Sequence, residues 1–441
     1  MKYLFKVILL FLIIFNFKVP LVHYSCTVSV IIGMFYFLIT KRAIPFTYFT
    51  SRYCFTILAA TLLMAVVDVS FSIMHGVSPS GFYTRFIVQG WMLCCLVFVL
   101  PILMEKEETA FNEAMAIICG AFALQGLIHT LGFLIAPVGD FILNFQPESN
   151  RLFAQQNPEA GGRFRFFSLT GSPFFELPGA YGVACIMFFR LQLVPDQNYL
   201  RGWKAFVAML FILLGIFLSG RTGYIGFGLG LLLYLYFGWN DISQMWRNVV
   251  KIAGGFLGVL IVSYIVLTPQ QRGDFIDQVF PFTFEAYYNW RDTGKFETSS
   301  TDALIEVHYY YLDPDVILWG TGGTSDSLPG HRHTDAGYMN HILVGGIFYL
   351  LILIWYQWLY FRQPMRLARL ENSKNGNINY FYFLLLFGHM FILEYKSPGI
   401  GTIHIIEVLL LYAGISYLTE QYALEDTEEP EEETLRESVF A

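Results

Sequence analysis

The amino-acid sequence predicts an all-α, polytopic membrane protein with about twelve transmembrane helices. Hydrophobic residues make up 55% of the 441 residues, whereas charged residues make up only 14%. A soluble domain carries roughly 25% charged residues, so a chain this poor in charge cannot cover a water-facing surface. Aromatic residues reach 18%, which suits lipid-facing walls and interfacial belts. Nothing in the composition indicates a nucleic-acid partner.

Each predicted span is an apolar run close to the roughly 20 residues that a helix needs to cross a bilayer. The spans are residues 3–20, 22–40, 53–75, 82–104, 113–135, 175–194, 203–219, 222–239, 249–267, 335–360, 379–395 and 400–419. They form one helical domain, residues 1–420. No small-residue cleavage site follows the first run, so we expect it to be a retained helix rather than a signal peptide.

The distribution of positive charge predicts the orientation, because Lys and Arg concentrate in cytoplasmic loops. If the amino terminus is inside, most of the short inner loops are rich in lysine and arginine. These residues are Lys41, Arg42, Arg52, Arg190, Arg201, Lys204, Arg247, Lys251, Arg362, Arg366, Arg369 and Lys374. Only the inner loop 105–112 departs from this trend. Both termini are therefore predicted to be cytoplasmic, and the acidic tail, residues 421–441, to be disordered.

Two long segments then face outward, residues 136–174 and residues 268–334, the second between the ninth and tenth spans. The second segment mixes polar residues with apolar ones, and is predicted to form short amphipathic helices on the membrane surface. Both segments contain cations that the positive-inside rule disfavours there: Arg151, Arg163, Arg165, Arg272, Arg291, Lys295 and the run His331-Arg332-His333. An anionic ligand at the outer surface would account for them.

Arg221 is the strongest candidate for binding such an anion. It lies in the tight turn Ser219-Gly220-Arg221-Thr222-Gly223 between two apolar spans. A charge near bilayer depth usually faces the bundle interior or a wet cavity, and a guanidinium matches the geometry of phosphate. The alternative is an arginine that snorkels to lipid headgroups.

A second polar cluster closes the larger outer segment. It begins with a glycine-rich run, residues 320–324, and continues through His331, His333 and Asp335. These side chains are close enough in sequence to act as a general base and its orienting partner. The alternative is a polar helix entry capped by Asp335. Glu394 and Glu407, within the last two spans, are expected to pair with the arginines, since a lipid-facing charge is costly.

The turn around Arg221 resembles the corresponding motif of the O-antigen polymerase and O-antigen ligase superfamily. The run 165–179, and the order of Gly320-Thr321-Gly322, Asp335-Ala336-Gly337-Tyr338 and Gly345-Gly346-Ile347, are similar to motifs of the same family. The resemblance covers roughly residues 110–360. The family's ligases carry a histidine where this chain has Asp335, with His333 two residues earlier. This difference favours a Wzy-type polymerase.

The resemblance implies metal-independent glycosyl transfer at the periplasmic face of the bacterial inner membrane. The donor would be an oligosaccharide on undecaprenyl pyrophosphate, and the product an O-antigen or capsule. No cofactor is expected because the donor is already activated. A flippase and a chain-length regulator would be partners, besides membrane lipid. The implied catalytic residues are Arg221, Arg291, His333 and Asp335, and the implied substrate-binding residues are Arg163, Arg165, His331 and Tyr338.

Two alternatives remain open. The first is a ligase that moves finished glycan from undecaprenyl pyrophosphate onto lipid A core or another acceptor. The second is a secondary transporter of an anionic solute, which would show symmetric halves and broken helices near the bilayer midplane. We expect neither feature: the sequence has no internal repeat, and the outer segment 268–334, with 67 residues, fits a minimal rocking transporter poorly.

Overall fold

The computed structural model describes residues 2–41, 47–79, 82–104, 107–148, 151–152, 163–171, 176–194, 200–239, 242–267, 269–295, 298–325, 332–371, 374–397 and 404–425. Helices account for nearly all of this structure. The strand content of the described part is a single hairpin, in which β1 (Lys18–Val19) pairs antiparallel with β2 (His23–Tyr24). Part of the first outer segment, His331 and residues 426–441 of the acidic tail lie outside the described residues, whereas residues 421–425 of the tail belong to the last helix.

The amino-terminal part of the chain forms apolar helices, of which most are long and two, the third and the seventh, are short. These are α1 (Lys2–Phe15), α2 (Ser25–Thr40), α3 (Thr47–Thr50), α4 (Arg52–Met74), α5 (Phe82–Leu103), α6 (Ala110–Leu134), α7 (Ala136–Leu143) and α8 (Glu176–Leu193). A 3₁₀ turn, Arg163–Phe166, precedes α8. The predicted outer segment 136–174 therefore begins as a helix.

The remaining helices are α9 (Trp203–Ser219), α10 (Gly223–Gly238), α11 (Ile242–Val266), α12 (Pro269–Asp274), α13 (Phe280–Thr293), α14 (Ser299–Ala303), α15 (Pro314–Trp319), α16 (Gly337–Leu370), α17 (Lys374–Lys396) and α18 (His404–Glu425). Two π-helical stretches, Phe275–Val279 and Leu304–His308, lie among the short helices α12 to α15. These short elements occupy the predicted larger outer segment.

Five helices of the described part are long and apolar enough to cross a membrane: α4, α5, residues 107–134, α16 and residues 375–396 of α17. Three shorter apolar helices, α2, α9 and α10, accompany them. One large core of aliphatic and aromatic side chains runs through the bundle, and the cysteines Cys26, Cys54, Cys95, Cys119 and Cys185 are buried in it. The chain is thus an all-α, multi-pass membrane protein.

A buried arginine joins four helices at one end of the bundle. Arg190, near the end of α8, donates from Nε to Asn379 Oδ1 at 3.0 Å, and its guanidinium lies 4.1 Å from the Phe111 ring. It also bonds Asn112, while Glu420 accepts from the Phe111 backbone N–H at 2.8 Å. A buried charge with satisfied hydrogen bonds is tolerated in a bundle interior. We call this group the Arg190 clamp; it ties together α6, α8, α17 and α18.

The helix α16 is broken near its start, within the predicted span 335–360. Gly345 and Gly346 have non-helical backbone angles, and Gly346 has φ 65°. That region favours glycine because a Cβ there would crowd the backbone. A Cβ on Gly346 would also lie 2.1 Å from the Leu318 carbonyl oxygen. Glycine is therefore needed at position 346, where the end of α15 packs against α16.

The break frees backbone carbonyls that the loop after α15 satisfies. Thr321 donates its backbone N–H to the Leu343 carbonyl at 2.6 Å, and Gly322 donates to Val344 at 3.0 Å. The Ser72 hydroxyl, near the end of α4, donates to the Gly322 carbonyl at 2.7 Å. Non-helical backbone is tolerated at membrane depth only where protein satisfies it. These bonds hold the end of the larger outer segment against α4 and α16.

Candidate functional site

The first part of the site is the short segment around Arg165. Gln146 donates its side-chain amide to the carbonyls of Phe166 at 3.3 Å and Ser168 at 2.5 Å. Gln125, in α6, donates to the Leu169 carbonyl at 3.0 Å. Buried amide side chains thus replace the regular hydrogen bonds that this irregular stretch lacks. The backbone that carries Arg165 is fixed against the bundle.

Arg165 and Arg221 lie side by side at the junction of α9 and α10. Arg165 donates from Nε to the Ser219 carbonyl at 2.9 Å. Burial, together with the nearby positive charge of Arg221, lowers the pKa of Arg165 to about 10. Gly220 leaves room for this arrangement, since a Cβ there would lie 3.4 Å from the Arg165 guanidinium and 3.0 Å from Pro178. The folded chain therefore keeps two guanidinium groups within repulsive range.

A lysine and a glutamate complete this cation cluster, which we define as Arg165, Arg221 and Lys396 with Glu285. Arg221 is paired with Glu285, and their side chains are 15% and 21% exposed. The charges of Arg221, Arg165 and Glu285 all act on the Lys396 ammonium at the end of α17. Among these four side chains, positive charge exceeds negative charge by two. The cluster can therefore bind an anion with two or more negative charges.

Glu285 connects the cation cluster to the larger outer segment. Its Oε1 accepts the backbone N–H of Ser299 at 2.7 Å, so one carboxylate joins α13, α14 and Arg221. Partial burial opposes ionisation of Glu285, but the hydrogen bonds from Ser299 and the charge of Arg221 outweigh it and hold its pKa below the ordinary value. Thr283, two residues earlier, contacts the Phe217 carbonyl at 3.5 Å. The first half of the outer segment is thereby docked on α9.

The other basic residues that were predicted to form the site either lie away from the cation cluster or lie outside the described residues. Arg291 is exposed and forms an ion pair with Asp292 at 2.7 Å, while its guanidinium lies 5.2 Å from the Tyr288 ring. The Arg163 backbone belongs to the 3₁₀ turn, but its side chain, like all of His331, lies outside the described residues. The structure brings Arg165 and Arg221 together and places Arg291 in solvent.

A histidine–aspartate cluster combines two histidines of the outer segment, His308 and His333, with Asp335, the first residue of the next predicted span. His333 Nε2 lies 3.1 Å from Asp335 Oδ1, and His308 Nε2 lies 3.6 Å from Asp335 Oδ2. The side chain of His308 is 15% exposed, whereas that of His333 is 60% exposed. The carboxylate of Asp335 therefore lies between one partly buried imidazole and one solvent-facing imidazole.

The hydrogen bonds of this cluster define the roles of its two imidazoles. The Asp335 backbone N–H donates to His308 Nδ1 at 3.0 Å, so Nδ1 is unprotonated and the neutral ring carries its proton on Nε2. His308 therefore positions the backbone of Asp335 through this bond. When His333 donates from Nε2 to Asp335, its Nδ1 carries the lone pair. This is the arrangement of a general base oriented by a carboxylate.

The helix α17 places both clusters at the same end of the bundle. The Tyr309 hydroxyl donates to the Tyr395 carbonyl at 2.8 Å, and the two rings stack with centroids 4.9 Å apart. Tyr309 follows His308, and Tyr395 precedes Lys396. Tyr338, a predicted substrate-binding residue, donates to the Phe391 carbonyl of α17 at 3.1 Å.

Three residues of the site were missed in the sequence analysis: Lys396, Glu285 and His308. Lys396 lies at the outward end of a predicted span, so the rule that singled out Arg221 also applies to it. Glu285 lies in the segment that was predicted only to form short amphipathic helices. His308 has no motif around it, and only its place at the end of a π-helical stretch, which often marks functional sites, distinguishes it.

No group of three or more His, Cys, Asp or Glu side chains within the described ranges could hold a metal ion. Comparisons with protein-family models, curated proteins and solved structures find no match for this chain. The interpretation of the site therefore depends on its own geometry and on the resemblance noted in the sequence.

Proposed function

We propose that this protein is a polymerase that joins undecaprenyl-pyrophosphate-linked oligosaccharide units into a surface polysaccharide, such as an O-antigen or capsule. The adjacency of Arg165 and Arg221 is the observation that carries the proposal. Two guanidinium groups held beside Lys396 suit a pyrophosphate, which presents several charged oxygens over a short distance. Each charge-assisted hydrogen bond to such an anion is worth roughly 1.5–3 kcal/mol.

The proposed topology has about twelve spans, of the length a bilayer requires: α1, α2, α4, α5, α6, α8, α9, α10, α11, α16, α17 and α18. Successive spans alternate in direction, so the Arg190 clamp lies at the end that carries the Lys- and Arg-rich loops. By the positive-inside rule this end is cytoplasmic. The cation cluster and the histidine–aspartate cluster then face the periplasm from the inner membrane, and both termini are cytoplasmic.

The proposed reaction is displacement at an anomeric carbon. An acceptor sugar hydroxyl forms a bond to that carbon, the bond from the carbon to the pyrophosphate oxygen breaks, and the electron pair leaves with the lipid pyrophosphate. Arg165, Arg221 and Lys396 stabilise the negative charge that grows on the leaving oxygen. His333 takes the hydroxyl proton on Nδ1, and Asp335 stabilises the resulting imidazolium.

A reconstituted assay with purified protein and lipid-linked repeat units tests this proposal. Arg221→Ala and Arg165→Ala should each nearly abolish polymer formation, because the leaving pyrophosphate loses its partners. Arg272→Gln is the matched control, since the Arg272 guanidinium binds the Leu267 and Ile265 carbonyls at 2.9 and 2.8 Å. Polymer formation at the wild-type rate in both alanine variants would exclude the proposed site.

The ligase alternative uses the same donor and differs in the acceptor. A deletion strain distinguishes the two activities. Loss of a polymerase removes long-chain glycan, whereas loss of a ligase leaves long-chain glycan attached to its lipid carrier. The position of Asp335 at the entry to α16, in place of a histidine, favours the polymerase.

The broken helix α16 is the one feature of the described structure that favours the transporter alternative. A break near the midplane is typical of transporters. Counting about 20 residues back from Arg362, the first charge of the inner end, places Gly345 and Gly346 near the outer boundary of the hydrocarbon. The break is therefore better suited to holding the outer segment than to binding a solute at mid-membrane. Proteoliposomes that accumulate an anionic solute without forming polymer would favour the transporter.

A further inference from the structure

The helix α16 continues beyond the apolar part of its sequence and presents three arginines on one face. Arg362, Arg366 and Arg369 are four and three residues apart, which places them in one row along a helix, and all three are exposed. The side of the helix that packs into the bundle carries buried apolar residues, among them Phe361 and Met365. We call the row of three the arginine stripe.

The arginine stripe has no partner within the part of the chain that the structure describes. None of its guanidinium groups makes a hydrogen bond or an ion pair with a described residue. By contrast, the buried Arg190 donates to Asn379 Oδ1 at 3.0 and 2.8 Å. Like charges on neighbouring turns of a helix repel one another. An anionic partner would therefore stabilise the stripe.

The stripe extends farther from the hydrocarbon than lipid headgroups do. Arg362 is the first charge after the apolar run of α16. For a helix near the membrane normal, Arg369 lies about 10 Å farther along the axis, at 1.5 Å per residue. The headgroup layer on each side of the hydrocarbon is only roughly 5–7 Å thick. Anionic lipid therefore reaches Arg362, whereas Arg369 extends beyond the headgroups into water.

The carboxyl-terminal end of α18 lies beside the arginine stripe. The side-chain amide of Gln363 donates to the Tyr422 hydroxyl at 3.1 Å, and α18 ends three residues later, at Glu425. Because Gln363 directly follows Arg362, the chain leaves α18 within about one helix diameter of the stripe, roughly 10 Å. The segment that follows Glu425 therefore starts next to three positive charges.

The segment after α18 is the most acidic stretch of the sequence. Residues 426–433 contain no basic residue and six acidic ones, namely Asp426, Glu428, Glu429, Glu431, Glu432 and Glu433. The segment lies outside the described residues. Eight residues span up to roughly 26 Å when extended, whereas the stripe is about 10 Å long. The segment is therefore long enough, and of the right charge, to follow the whole stripe.

Another neighbour of the α18 end carries negative charge. Glu420 accepts the Phe111 backbone N–H at 2.8 Å, which places the start of α6 against α18. The turn before α6 contains Glu107 and Glu108, and both are exposed. An acidic segment that leaves Glu425 is repelled by these glutamates and attracted by α16. The charges around the end of α18 thus favour one direction for the chain.

We propose that the acidic segment 426–433 binds the arginine stripe of α16. A single exposed ion pair would not hold it, because such a pair is weak and is screened by salt. Several carboxylates facing three arginines at once act together, since each contact raises the effective concentration of the next. The inference does not rest on the proposed function, because the stripe lies at the opposite end of α16 from Asp335.

Pulsed dipolar electron spin resonance measures this contact in the full chain. A variant without the native cysteines carries spin labels at Leu370→Cys, a position that is 64% exposed, and at Thr434→Cys. In nanodiscs of phosphatidylethanolamine and phosphatidylglycerol at low ionic strength, the distance distribution should be one narrow peak. The peak should broaden in about 1 M salt, where the Debye length falls to about 3 Å. A broad distribution at low ionic strength would overturn the inference.

Exchange of the charges tests whether the stripe itself holds the segment. One variant reverses the stripe through Arg362→Glu, Arg366→Glu and Arg369→Glu, and should broaden the distribution. A second variant should restore the narrow peak by adding Glu431→Lys, Glu432→Lys and Glu433→Lys. Reversal of two exposed cations near the start of α9 is the matched control and should leave the peak unchanged: Arg201→Glu and Lys204→Glu. A narrow peak in the first variant would overturn the inference, and the salt response decides if that variant fails to fold.

Anionic lipid is the competing occupant of the arginine stripe. The same measurement in nanodiscs of phosphatidylcholine alone, which has no net charge, distinguishes it from the acidic segment. The same narrow peak in both membranes would support binding of the segment. A narrow peak only in the phosphatidylcholine nanodiscs would assign the stripe to phosphatidylglycerol and overturn the inference.

Discussion

At the scale of single residues, Glu285 is the counter-ion with which an incoming anion must compete for Arg221. The lowered pKa of Glu285 keeps it ionised at neutral pH, and the bridge is lost only as the pH falls through that lowered value. Glu285→Gln should therefore tighten pyrophosphate binding by about tenfold, or ~1.4 kcal/mol, because a charge-assisted bond no longer has to be broken. Asp292→Asn, on the same helix, should leave the affinity unchanged. Weaker binding in Glu285→Gln would show that the carboxylate shapes the site instead.

The two histidines beside Asp335 should respond differently to substitution. His333→Gln removes the proposed base and should slow polymer formation by roughly 10² to 10⁴-fold at saturating donor. His308→Asn keeps an acceptor near the Nδ1 position for the Asp335 N–H, whereas His308→Gln does not. Steady-state rates should therefore fall in the order wild type, His308→Asn, His308→Gln. Equal rates in the two His308 variants would show that the hydrogen bond to His308 does not orient Asp335.

At the scale of elements, the break in α16 holds the loop after α15 in place. Gly346→Ala puts a residue with a Cβ at a left-handed backbone position, which costs roughly 1–2 kcal/mol. The new Cβ would also clash with the Leu318 carbonyl. We expect a lower thermal unfolding midpoint in detergent. Gly228→Ala in α10 is the control, because a Cβ there meets nothing within 4 Å. A stable Gly346→Ala protein with full activity would mean that the break is not required.

The Arg190 clamp should make a large contribution to the stability of the bundle. Arg190→Leu leaves Asn112 and Asn379 buried without their charged partner, and breaking such a group costs about 3–5 kcal/mol. Arg201→Leu, an exposed arginine near the start of α9, is the matched control and should unfold like the wild type. Thermal unfolding in detergent measures both. An equal unfolding midpoint for the two variants would show that the Arg190 clamp does not stabilise the bundle.

At the scale of the whole molecule, the proposed topology puts the two ends of the bundle on opposite sides of the membrane, with the cation cluster outside. In a variant without the native cysteines, Ser300→Cys should react with a membrane-impermeant thiol reagent added to intact cells. Leu370→Cys, whose side chain position is 64% exposed, should react only after the membrane is permeabilised. The reverse pattern would place the cation cluster in the cytoplasm and exclude a periplasmic donor.

The sequence by itself determined the fold class and the approximate positions of the helices. Apolar length is a local property of the chain, and the thickness of the bilayer sets its scale. The span predicted at 335–360 begins two residues before α16, Gly337–Leu370. The end of α16 continues as helix through charged residues beyond the apolar run. Likewise, Arg165 and Arg221 were singled out because a cation next to an outward span end is unusual in itself.

Only the tertiary structure decided which of these residues meet. Arg165 reaches the Ser219 carbonyl, Glu285 reaches Arg221, and His308 reaches Asp335 across many residues of intervening chain. Such contacts depend on how helices pack, which no local pattern encodes. Arg291 lies in a predicted outer segment, as Arg165 does, but it pairs with its neighbour Asp292. By contrast, His341 and Glu394 meet because Gly337 leaves space between two helices. The sequence thus named candidates by their charge and depth, and packing selected among them.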